Sequence, residues 1–152
     1  MSFESVKEYF SKINRDKDII VLEGSIATVE LAAKALNITE GEIAKTLGFR
    51  ANNEYFLIVS DGSAKIDNRK YKEHFKVKAR MMNADEVFEQ TGHQVGGVCP
   101  FGLANKLSIY LDESLRKHEY VYPAAGSSNS AIRLSLAELE TYTKGIWIDV
   151  TK

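Results

Sequence analysis

This sequence predicts a single mixed α/β domain, built on a mixed sheet or partly closed barrel and flanked by short helices. Two observations carry that expectation. Roughly six or seven strand-like runs and four or five helical ones follow each other in mixed order, without the strict alternation of a doubly wound fold. The chain has 152 residues, 44% of them apolar and only two of them proline. That length suits one domain over residues 1–152, with ample material for its core.

The elements can be justified in order. "SFESVKEYFSKIN" spaces Val6, Phe10 and Ile13 as the stripe of an amphipathic helix. "IIVL" (19–22) reads as a short strand, and "TVELAAKAL" (28–36) as a helix capped by Thr28. Thr39 and Glu42 have a capping-box spacing, so a short helix there gives way to a strand near Lys45–Arg50. "EYFLIVS" (54–60) is a strongly apolar strand ended by Asp61-Gly62, with "SAKID" as its expected hairpin partner. "NRKYKEHF" (68–75) is helical, with Tyr71 and Phe75 four apart. "NADEVFEQTG" (83–92) joins an Asn83 cap, an acidic first turn and a Gly92 stop. Beyond the glycine-rich "VGGVCPFG" (95–102), the runs "KLSIYLD", "HEYVYPAAG" and "SAIRLSL" read as strands. Ser135 and Glu138 head the helix of "SLAELETYTKG" (135–145), and "IWIDV" closes as a strand.

Composition narrows the function. Lys and Arg number 20 against 21 Asp and Glu, a net charge of -1. This excludes a dedicated nonspecific nucleic-acid binder but is compatible with one local grip on a nucleic-acid end. His74, His93 and His118 lie far apart with no ligand spacing, so no metal is expected. Neither a Walker loop nor a dinucleotide fingerprint is present, and no cofactor is expected. There is no basic-then-apolar leader and no apolar run of transmembrane length. With a single cysteine, the expectation is a soluble, cytoplasmic protein without membrane attachment.

Three features carry candidate chemistry. Lys45 stands where "EIA" runs into "TLGF", and its ammonium either reaches solvent or offers donors and charge to an anion. "VGGVCPFG" and "AAGSSN" (124–129) are small-residue turns beside strands. Each is either a plain turn or a rim of backbone donors around a pocket, with Ser127, Ser128 and Asn129 either binding a ligand or capping the turn. Cys99 is either a nucleophile, which needs a base and a depressed pKa, or a small residue lining the pocket or core.

Together, "ATVELAAKAL", "EIAKTLGF", "VSDG", "TGHQVGGVCPFG" and "AAGSSNSAIRLSLAEL" resemble the YbaK/EbsC family of aminoacyl-tRNA editing domains. That family includes free-standing ProX-type deacylases and the insertion domain of bacterial prolyl-tRNA synthetase. The resemblance covers roughly residues 20 to 145. It implies a mixed α/β fold around a curved, barrel-like sheet. It also implies trans-editing: hydrolysis of the ester between a small amino acid, such as Cys or Ala, and a tRNA, with tRNA-Pro a candidate. Lys45 matches the family's lysine and is expected to hold the terminal adenosine region through phosphate. Gly96 and Pro100 match the G-x-x-x-P element that positions the amino acid and its carbonyl. Thr28, Gly97, Val98, Cys99, Phe101 and Gly102 are implied as lining, and so are Gly126, Ser127, Ser128 and Asn129 of the second loop. Where cysteinyl-specific members carry an aspartate, this chain has Ala131, and Ser128 or Asn129 is expected to supply the polar contact. The implied partner is an aminoacylated tRNA acceptor end. Transient docking on a synthetase, the oligomeric state and a non-catalytic binding role for the same pocket stay open. The chemistry needs neither a metal nor an acid–base dyad, because an aminoacyl ester is already activated.

Overall fold

The computed structural model describes residues 2–152. Its helices begin where the capping residues stand. Helix α1 (Ser2–Ser11) buries Val6 and Phe10 completely. Helix α2 (Val29–Leu36) starts from Thr28, whose hydroxyl accepts the Leu31 N–H at 3.2 Å. Helices α3 (Asn68–Phe75), α4 (Ala84–Thr91) and α5 (Leu136–Thr143) are capped by Asp67, Asn83 and Ser135. The Thr39–Glu42 capping box is formed as well, on a single 3-10 turn. Ile13 lies past the end of α1 and is exposed, so only two members of its predicted stripe pack.

Strands β2 (Ile43–Ala51) and β3 (Glu54–Asp61) form the centre of a curved, half-barrel mixed sheet of six strands. β5 (Tyr120–Pro123) runs parallel to β2 and carries β7 (Leu134–Ser135) on its outer edge. On the other side β4 (Ser108–Asp112) and β8 (Ile146–Ile148) extend the sheet in parallel from β3. β1 (Ile19–Val21) and β6 (Ser130–Ile132) form a separate antiparallel pair.

Two expectations are corrected here. "SAKID" is not the hairpin partner of β3; β2 is, through Asn52 and Asn53, both at positive φ. Such a turn matches the twist of its flanking strands, and asparagine tolerates the left-handed region. "SAKID" contributes only an isolated bridge, Ile66 to Thr151. "SAIRLSL" is likewise two strands, β6 pairing with β1 and β7 with β5, broken at Arg133, whose guanidinium lies 3.8 Å above the Tyr120 ring.

The main core lies between α1, the sheet and the 99–101 segment. Phe10 packs on Phe101 at 4.8 Å between ring centroids, and Tyr9 stacks on the same ring at 5.6 Å. A smaller cluster of Ile26, Ala32, Ala33, Ile43 and Ala131 sits under α2. That second cluster positions one wall of the cavity described next.

Candidate functional site

A cavity of about 470 Å³ opens between α2, β2 and the chain from Met81 to Val98. β2 supplies Ile43 to Gly48, and α2 with its cap supplies Thr28, Val29, Ala32 and Leu36. Met81, Met82, Val87, Val95, Gly96 and Val98 form the facing wall. Tyr122, Ala124 and Ala131 close the end. The lining is apolar apart from Thr28, Lys45, Thr46 and the Tyr122 hydroxyl, and among the described residues Lys45 is the one charged side chain in it.

Lys45 sits opposite Ser60 in the β2–β3 register, half-buried, with its Nζ donating to the Ala64 carbonyl. Burial lowers its pKa from the ordinary value, and the Asp61 charge opposes that fall. Asp61 itself is fully buried. It accepts the Ser63 N–H at 2.7 Å and His118 Nε2 at 2.7 Å, with Lys117 Nζ 3.2 Å away. Burial pulls the Asp61 carboxyl up, but the hydrogen bonds from Ser63 and His118 outweigh it and hold it below the usual range. The result is a fixed negative charge close to the lysine, which favours the ammonium form.

Thr46, beside Lys45, was not singled out by the sequence. Its Oγ1 is buried and has no hydrogen-bond partner among the described residues. A buried hydroxyl without a partner costs roughly 1–3 kcal/mol, so it is poised to gain from a polar ligand atom. Its signal was adjacency to Lys45 within "AKTL", but nothing in sequence distinguishes it from a strand threonine with a satisfied hydroxyl. Gly48, Met82 and Val87 also line the cavity unforeseen, Met82 because the run "ARMMN" carries no periodic pattern.

The structure brings Thr28, Lys45, Gly96 and Val98 of the expected residues to the cavity. Gly97 sits just behind. A side chain there would meet the Ser127 backbone nitrogen at 2.8 Å, so the two small-residue loops touch backbone to backbone. The second loop, however, does not face the cavity. Gly126, at φ 92, presses against the Ser2 carbonyl of α1. The Ser127 hydroxyl bonds Asn129 Oδ1 at 2.9 Å, Asn129 Nδ2 donates to the Leu22 carbonyl at 2.9 Å, and Ser128 is exposed. The polar groups of Ser127 and Asn129 are spent within the fold. Ala124 and Ala131, flanking that loop, line the cavity instead.

The cysteine end of "VGGVCPFG" lies away from this cavity. Cys99 and Phe101 are in the core, and Pro100 and Gly102 turn toward Ser5, Glu8 and Tyr9 of α1, on a different hollow. Cys99 Sγ does lie 3.6 Å from His93 Nε2, a pairing that sequence alone could not place. Both are fully buried, and burial pushes the thiol up to about 12, the reverse of what a nucleophile needs. His93 holds structure instead. Its Nε2 donates to the Phe101 carbonyl at 2.7 Å, and its Nδ1 lies 2.6 Å from the Ser2 hydroxyl. Burial lowers its pKa, which favours this neutral tautomer. Among the described residues, no group of three or more His, Cys, Asp or Glu could hold a metal ion.

Residues 23–142 match the family model of the aminoacyl-tRNA editing domain. The chain belongs to that family. It is 49% identical, along its whole length, to an uncharacterized protein, YwhH, of Bacillus subtilis (strain 168), covering 98% of that protein. It is 25% identical over 132 residues to the proline–tRNA ligase of Bacillus licheniformis, covering 80% of this chain but 23% of the ligase. The fold of this editing domain superposes at TM-score 0.90 and 28% identity on a candidate trans-editing enzyme for prolyl tRNA synthetase, covering 99% and 97% of the two chains. A hypothetical protein, APE2540, superposes at TM-score 0.80 and 30% identity, covering 88% and 90%. No helix among the described residues of the editing domain is long and apolar enough to cross a membrane.

Proposed function

We propose that this editing domain hydrolyses the ester joining a small, weakly polar amino acid, alanine or cysteine, to the 3′ end of tRNA, with tRNA-Pro as the carrier. The observation that carries the reading is the cavity: largely apolar, lined on β2 by both Lys45 and Thr46, with the Thr46 hydroxyl buried and without a partner among the described residues. The Lys45 ammonium anchors a terminal phosphate, and the Thr46 hydroxyl pairs with a ribose or ester oxygen. Gly96 brings backbone to the amino acid, while Val98, Met82 and Ala131 surround its side chain.

Water attacks the ester carbonyl carbon, with the neighbouring ribose hydroxyl positioned to relay its proton. The bond to the ribose oxygen breaks, that oxygen takes up the proton, and the amino acid leaves. Positioning of an activated ester supplies much of the acceleration. A cavity of this size and apolarity selects by volume, the logic of an editing sieve. Acting in trans, the domain would meet tRNA after or during its release from a synthetase. Ala131, where cysteinyl-specific relatives carry an aspartate, favours alanine of the two substrates. It also motivates the competing reading of binding without turnover.

The test is a panel of tRNAs charged with alanine, cysteine, serine and proline, followed for ester loss with and without the protein. Accelerated loss of the alanyl or cysteinyl ester is expected, and no acceleration on any member sinks the enzyme reading. Lys45→Ala should lower kcat/KM by on the order of 100-fold, the loss of one charged anchor. Tight binding of a non-hydrolysable aminoacyl-adenosine with no turnover anywhere on the panel would establish the binding role instead.

A further inference from the structure

The chain is nearly neutral, yet its cations are unevenly spread. Between Arg69 and Arg80 lie six, Arg69, Lys70, Lys72, Lys76, Lys78 and Arg80, against one acid, Glu73. Arg69 pairs with Glu73 and Lys70 with Asp149. Lys72, Lys76, Lys78 and Arg80 form no salt bridge among the described residues, and all four are exposed.

Their arrangement is directional. After α3 ends at Phe75, burial alternates: Lys76, Lys78 and Arg80 face solvent while Val77 and Ala79 are half-buried. The segment then docks on the edge of β2. The Arg50 N–H donates to the Arg80 carbonyl at 2.9 Å, and the Met82 N–H to the Gly48 carbonyl at 3.0 Å. Met81 and Met82, the next residues, are already cavity wall. Lys78 and Arg80 also line a surface groove with Arg50, Asn52, Asn53 and Glu54. Arg50 is partly neutralised by Glu86 at 2.9 Å, and Glu54 is the groove's own acid. Lys78 and Arg80, without salt bridges among the described residues, therefore lie in one groove, with Lys76 exposed just before them, and the row stops one residue short of the cavity wall at Met81. From Lys76 to Arg80 it spans on the order of 13 Å of extended chain.

The geometry points to this row as the track for the phosphodiester backbone of the RNA whose 3′ end enters the cavity. The inference rests on the function proposed above and adds where the stem lies. Exposed cations in an extended row make phosphate contacts that position a nucleic acid without reading its sequence. The single Lys45 contact would then hold the end, and the row would hold the strand leading to it.

Two substrates separate the stem contact from the chemistry: an alanylated acceptor-stem minihelix and an alanylated CCA trinucleotide without a stem. The variant is Lys78→Gln combined with Arg80→Gln, both exposed, with circular dichroism to check folding. A control, Lys7→Gln on α1 with Lys12→Gln just past its end, removes the same charge elsewhere. The variant is expected to raise KM for the minihelix about tenfold and leave the trinucleotide unchanged. The salt dependence of minihelix hydrolysis should flatten by about one unit of log–log slope for each phosphate that the variant can no longer grip. Equal kinetics of variant and wild type on both substrates would overturn the track, as would an equal loss in the α1 control. If wild type hydrolyses neither substrate, the proposed function fails first and on its own evidence.

Discussion

Lys45 and Thr46 occupy consecutive positions on β2 but are stabilised very differently. Lys45 gives its charge a local carbonyl and a nearby carboxylate, whereas Thr46 leaves its hydroxyl without a partner among the described residues. That imbalance yields a prediction with two opposite signs. Thr46→Val removes a buried polar group with no protein partner, so Tm should hold or rise. The same change should cut kcat/KM on the alanyl ester by about tenfold, the loss of one hydrogen bond to substrate. A fall in Tm without a fall in activity would assign Thr46 to packing. Cys99 supplies the counterpart. Its thiol is buried and held protonated, so Cys99→Ala should retain full ester hydrolysis while losing roughly 1–2 kcal/mol of stability in urea titration. Abolished hydrolysis by a folded Cys99→Ala protein would restore the thiol mechanism.

At the scale of elements, the glycine-rich loop works through its back as well as its front. Gly96 and Val98 face the cavity, and Gly97 behind them leaves no room for a side chain against Ser127. Gly97→Ala would force backbone off backbone at 2.8 Å. It should lower Tm by several degrees and weaken binding of an aminoacyl-adenosine analogue together. Unchanged Tm and affinity would show that the two loops are not a unit. Elements are legible in the sequence where local chemistry determines them. The capping-box spacings at Thr39 and Ser135 and the Asn83 cap all form, the last as a full capping box with Glu86. The hairpin is misplaced by sequence reasoning because Asp61-Gly62 is a strong turn signal, while Asn52-Asn53 is a weaker cue. In the structure the Asp61 carboxylate bonds the Ser63 N–H, and the chain leaves the sheet there.

Across the whole molecule, the resemblance names residues of both small-residue loops, and only the fold shows which side of each faces the cavity. Facing depends on tertiary contacts with no local trace. α1 draws Pro100, Gly102 and Gly126 toward itself, and its sequence shows only an amphipathic stripe. The same holds for charge. The balanced total of 20 cations and 21 acids hides a segment with six cations to one acid, and only the fold shows that this segment runs into the cavity wall at Met81. Global neutrality and a local electrostatic track are compatible, because screening confines each contact to about 8 Å at physiological salt.

The proposed reaction at the β2 cavity is ester hydrolysis on an aminoacylated tRNA end. Single-turnover loss of the alanyl ester from tRNA-Pro, wild type beside Lys45→Ala, decides it. Fast loss is expected with wild type, and a rate lower by on the order of 100-fold with the variant. Equal rates for the two proteins, or a wild-type rate no faster than buffer, would refute hydrolysis at this cavity.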